Sequence, residues 1–141
     1  MESALSFRKE FTLVVKGDPV AQARPRFSRS RAYNKQAHLL NSQQWEVAAQ
    51  APHRGIPLKG PISLTIDFVM PIPDSWSQKK KDALEDSFHE KKPDIDNLLK
   101  WILDVLSGIV IADDRQICCV QCKKRYGKEP RTEIEVWKEQ C

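Results

Sequence analysis

The stretch KPDIDNLLKWILDVLSGIVIADDRQ, Lys92 to Gln116, gathers five side chains suited to phosphate chemistry. Asp94 and Asp96 stand at the mouth of an amphipathic segment, Lys100 follows one turn later, and Asp113 and Asp114 lie past its end. Carboxylate oxygens are the hard donors that magnesium and calcium take. Four carboxylates and a lysine along one short helix suit a divalent metal better than a salt-bridged surface. Much of the remaining chain is basic, so the natural ligand of such a metal is a phosphate.

The same residues also have an ordinary structural reading. Acids in a first helical turn gain about 0.3–1 kcal/mol each from the helix dipole. Asp96 and Lys100 are spaced as an i,i+4 pair, worth a few tenths of a kcal/mol. The second acidic pair favours a metal, but spacing does not say whether the fold returns it to the same end. On the residues alone, both readings stay open.

The elements that would carry these groups follow from periodicity. Pro93 disfavours helix at Lys92 and suits an extended lead-in or a first helical position. Asp94 then becomes a capping residue. Ile95, Leu98, Leu99, Ile102, Val105 and Leu106 recur at three- and four-residue steps and form one apolar stripe. Asp96, Lys100 and Asp104 lie on the other side. Ser107-Gly108 stops the helix, because glycine tolerates the left-handed conformation there.

Upstream, Phe11 to Lys16 reads as a strand halted by Gly17-Asp18-Pro19. A helix is expected after Asn34, a good cap, running toward Gln50. Pro61 to Met70 alternates apolar and polar residues, as a half-buried strand does. A polar helix, capped by Asp74 or Ser75, is expected to end near Phe88, with Lys79, Lys80 and Lys81 on a solvated face. Two closing strands, Ile117 to Arg125 and Thr132 to Lys138, flank a turn at Gly127 to Pro130. The expected fold is a single α+β domain over residues 1–141, with helices packed on a mixed sheet.

Three blocks make the chain resemble the RusA family of Holliday junction resolvases: GDPVAQARPRF at 17–27, KPDIDNLLKWILDVLSGIV at 92–110 and ADDRQI at 112–117. The resemblance implies a RusA-like fold and a magnesium-dependent endonuclease, with Mn2+ as an alternative cofactor, acting as a homodimer. Such enzymes nick two opposed strands of a four-way junction in DNA recombination and repair, leaving 5′-phosphate and 3′-hydroxyl ends. Carried over residue by residue, it makes Asp94, Asp96 and Asp114 the metal-binding acids, Asp113 a supporting acid and Lys100 the catalytic lysine. The CCVQC run at 118–122 and the Trp-rich middle lie outside these blocks. Two rival readings are a nuclease for flaps or forks, and a catalytically silent DNA-binding protein of prophage origin.

Composition agrees with a DNA-binding partner. Apolar residues make up 40% and charged residues 30%, ordinary for a soluble globular domain. No apolar run approaches a membrane span and no signal peptide opens the chain, so a cytoplasmic protein is expected. Residues 1–60 hold ten Lys/Arg against four acids, and Arg24, Arg26, Arg29 and Arg31 fall in one acid-free stretch. Arginine forks bind phosphate oxygens in pairs, so these four are the expected DNA contacts, with a solvated basic loop as the alternative. Cys119 and Cys122 form a CxxC without a second pair, too few ligands for zinc. The cysteines are expected to be reduced, partly buried strand residues. His38, His53 and His89 show no triad spacing.

Overall fold

Alternation is what builds the centre of this protein. In the computed structural model, which describes residues 6–23, 31–53 and 55–140, Ile62, Leu64, Ile66 and Phe68 on strand β2 (Ile62–Pro71) are all buried. Their neighbours Ser63, Thr65 and Asp67 are half-buried on the opposite face. Strand β1 (Phe7–Lys16) and helix α1 (Arg31–Gln50) precede β2. After it come helices α2 (Gln78–Leu84) and α3 (Ile95–Leu106), a 3-10 turn (Asp114–Gln116), β3 (Ile117–Gly127) and β4 (Arg131–Glu139).

The four strands form one sheet in the order β1-β4-β2-β3. β4 pairs antiparallel with both β1 and β2, whereas β2 and β3 are parallel. A parallel pair cannot be closed by a tight turn and needs a long crossover. Here α2 and α3 occupy that crossover. Leu98, Trp101, Ile102, Val105 and Leu106 of α3 are buried, in one core with Leu13, Ile66, Phe68, Ile134 and Val136 of the sheet and Val47 of α1. Trp101 Nε1 donates to the Oε1 of buried Gln43 at 2.8 Å, tying α3 to α1 and satisfying the one polar atom of the indole. The fold is therefore the α+β, mixed-sheet domain that the periodicity predicts.

Three local expectations need correction. Helix α1 begins at Arg31, so Asn34 lies within it and does not cap it. Helix α2 is only seven residues long: Ser77 caps it, with its side chain accepting from Lys80 N, and it stops at Leu84. It cannot continue, because residues 86–89 pair with the end of β3. Asp86 N donates to Tyr126 O, Tyr126 N to Ser87 O, and His89 N to Lys124 O, all within 3.0 Å. Finally, Cys118 and Cys119 are exposed, not partly buried, because β3 is an edge strand; Cys122 is half-buried. Cys119 and Cys122 are three apart on a strand and so point to opposite faces, which rules out a shared zinc ligand pair.

A candidate metal centre on helix α3

The chain enters α3 through a loop that β3 holds in place. Lys124 Nζ donates to the carbonyls of Lys91 at 2.7 Å and Pro93 at 2.8 Å. Asp94 then occupies the N-cap position with extended backbone, but its side chain makes no capping hydrogen bond. Asp96 follows in the first turn. Both carboxylates are exposed and open onto one cleft of about 640 Å³, which Glu90, Lys123 and Lys124 also line. Lys100 is exposed one turn further along the same side. Among the described residues, neither Asp96 nor Lys100 forms a salt bridge. Both acids stand where the helix dipole favours them, but among the described residues neither a side-chain cap bond nor an i,i+4 ion pair engages them.

The second acidic pair lies beyond the end of the helix. Asp113 precedes the 3-10 turn, and its carboxylate accepts from Arg115 N at 2.9 Å. That bond, reinforced by one with Asp114, holds the Asp113 carboxyl below the usual carboxylate range. Asp114 is pushed up, first by the same side-chain hydrogen bond, then by partial loss of water and by the charges of Asp113 and Asp104.

Asp104, which spacing sets on the polar side of α3 with Asp96 and Lys100 but to which sequence assigns no role, is a further acid of this region. Eight residues separate it from Asp96, roughly 12 Å along a helix axis. Its Oδ2 accepts from Gln22 Nε2 at 2.6 Å. Gln22 also donates its backbone N–H to Asn97 O, so the GDPVAQARPRF block starts pinned against α3. The arginines follow at once. Arg24, Arg26 and Arg29 lie outside the described residues, as does the side chain of Arg31, which opens α1.

Gln116, the last residue of the D-D-x-Q block, positions the acidic turn. Its Oε1 accepts from Ala112 N and Asp113 N, and its Nε2 donates to Leu58 O and Gly60 O. With each such bond worth about 0.5–1.5 kcal/mol net, Gln116→Ala should lower stability by about 2 kcal/mol in urea unfolding. A loss under about 0.5 kcal/mol would mean the turn is held by other contacts.

One chain therefore brings Asp94 and Asp96 together and groups Asp113 and Asp114 with Asp104. It does not bring Asp114 to the Asp94–Asp96 cleft. No three acidic, histidine or cysteine side chains among the described residues converge on a common metal position. Magnesium nevertheless binds through one or two protein carboxylates, keeping waters and substrate phosphate as its other ligands. Asp94 and Asp96, in no salt bridge among the described residues and lining the same cleft, fit that requirement.

The family model for Endodeoxyribonuclease RusA matches residues 16–137, a span that takes in the arginine stretch, all of α3 and the Asp113–Asp114 turn. The chain belongs to the RusA endodeoxyribonuclease family. It is also 32% identical over 133 residues to the uncharacterized protein YqaN of Bacillus subtilis (strain 168), a match covering 86% of this chain and 92% of that protein. The RusA match spans all of β2 and β3, β4 as far as Trp137 and only the last residue of β1. No helix among the described residues is long and apolar enough to cross a membrane.

Proposed function

We propose that this RusA-family protein is a magnesium-dependent, structure-selective endodeoxyribonuclease that resolves four-way DNA junctions by paired nicks, in the cytoplasm where its DNA is. The observation that carries this reading is the pair of exposed carboxylates, Asp94 and Asp96, with Lys100 one turn along on α3, none of them in a salt bridge among the described residues. A divalent cation bound there supplies an activated water and stabilises charge on the phosphate. Asp94 and Asp96 hold that cation. Lys100 offsets charge on the phosphate oxygens as the bond breaks, and Lys123 guides the backbone into the cleft. Phosphoryl transfer depends mainly on positioning and electrostatics, so no covalent nucleophile is needed.

A homodimer matches the two-fold character of a junction nicked on opposed strands. It also gives Asp114 a role as third ligand. Asp114 is not among the residues that line the Asp94–Asp96 cleft of its own chain, and in this reading a partner copy supplies it.

Labelled four-way junctions, flaps, forks and linear duplexes, each incubated with and without Mg2+, test the proposal. Paired nicks in the junction alone, only with Mg2+, are expected. Equal cutting of flaps or forks would make the protein a general branch nuclease. Binding without cleavage under any divalent metal would make it a silent DNA-binding protein.

The arginines supply affinity in this reading. Arg24→Ala combined with Arg26→Ala should weaken binding to all branched DNAs by a similar factor. Each lost phosphate contact lowers the log–log salt slope by about one, so titrations at several salt concentrations measure the effect directly. Unchanged affinity with altered substrate preference would mean that the segment reads DNA shape and not phosphate.

A further inference from the structure

Phe88 is 77% exposed, yet it does not sit on a loose loop. Its backbone bridges Arg125 on β3, and Arg125 is itself fixed by Asp67 of β2 and by Asp86. The next residue, His89, turns the other way and packs on Tyr126 with ring centroids 4.8 Å apart. The alternation that tucks His89 in therefore displays Phe88 outward. A single exposed apolar side chain is ordinary on a protein surface. What distinguishes this one is its place: with Ile95 it forms the apolar wall of the cleft onto which Asp94 and Asp96 open.

The cleft beside the ring is basic. Lys123 and Lys124 line the same cleft. On the opposite side, where His89 packs, Trp76 also lies on Tyr126, with Lys80 Nζ 4.1 Å and Lys91 Nζ 5.6 Å from its ring centroid. Lys80 is thus part of an ordered aromatic-basic layer and not a purely solvated charge. Lysines suited to phosphate, an aromatic face suited to a base and carboxylates suited to a phosphate-bound cation line one cleft.

We propose that Phe88 stacks on a nucleobase exposed at the branch point, beside the phosphate held at Asp94 and Asp96, and so distinguishes branched DNA from continuous duplex. The proposal rests on the endonuclease reading above. Inside a duplex both faces of every base are covered, and uncovering one costs unpairing and unstacking energy. At a branch point that cost is smallest. Stacking tolerates any base, because every base has a π-face. The ring therefore selects for DNA structure and not for sequence.

The test uses a four-way junction carrying 2-aminopurine next to a nicked phosphate, with Ca2+ in place of Mg2+ to hold the complex uncut. Wild-type protein and Phe88→Trp should change the probe's fluorescence on binding. Phe88→Ala should lose that change and bind the junction about tenfold to a hundredfold more weakly, the span that base stacking covers. Its affinity for linear duplex and its melting temperature should stay level, since the ring is exposed. Phe88→Leu, which keeps the bulk without the π-face, should behave like alanine. If Phe88→Ala matches wild type in junction affinity and fluorescence while wild type still nicks junctions, the stacking role is wrong and the endonuclease reading stands. If wild type neither binds nor nicks junctions, the endonuclease reading falls and stacking falls with it.

Discussion

Asp96→Asn is expected to lower the single-turnover nicking rate of a four-way junction by about a thousandfold or more, with junction affinity unchanged or higher. The amide is nearly isosteric and sits in the first turn of α3, where the native carboxylate has no salt-bridge partner among the described residues, so the fold should be unaffected. What disappears is one of two negative donors for a hard cation, and metal assistance to phosphate cleavage is worth several kcal/mol. Removing the charge also removes repulsion toward phosphate, which is why affinity should hold. Asp94→Asn and Asp114→Asn should behave alike. Asp113→Asn should be milder, because an amide oxygen can still accept from Arg115 N. Mixing Asp96→Asn with Asp114→Asn protein tests the shared site. If each site combines carboxylates from two chains, a mixed dimer contains one intact site and regains nicking. If each chain builds its own, no site is intact and none returns. Near-wild-type nicking by Asp96→Asn alone would remove Asp96 from the chemistry.

Lys100→Ala should cut the nicking rate by roughly a hundredfold, since a well-placed charge at a phosphoryl transition state is worth several kcal/mol. Junction affinity and melting temperature should barely change. A surface lysine in an i,i+4 pair would give the opposite pattern, a stability loss of no more than about 0.5 kcal/mol and intact chemistry. The fold already leans toward the first outcome, as Lys100 is exposed and forms no salt bridge with Asp96. Single-turnover cleavage with saturating protein and Mg2+ isolates the relevant step. A rate within about threefold of wild type would leave Lys100 without a catalytic role.

Local rules made much of the architecture legible in advance. Alternation marks β2, because side chains on a strand face opposite ways at every step. The three- and four-residue spacing marks α3, and Gly108, at φ +81°, supplies the left-handed stop after Leu106. Each of these depends only on neighbours along the chain. The same rules overextended α2, whose helical pattern continues toward Phe88 in sequence. There a distant partner, the edge of β3, binds the backbone more effectively than another helical turn would.

The sequence by itself determined which residue types meet on α3, where that helix begins and ends, and the RusA kinship that names a chemistry for them. Only the tertiary structure decided how those residues are used. It left Asp94 without a cap bond, and it pinned Gln22 to Asp104 from 82 positions away. It kept Asp114 with Asp113 and Asp104, away from the Asp94–Asp96 cleft, and it set Phe88 on the wall of that cleft. These outcomes depend on how a parallel crossover lays α3 against the sheet. Periodicity orients a side chain about its own axis, but only packing decides what stands opposite.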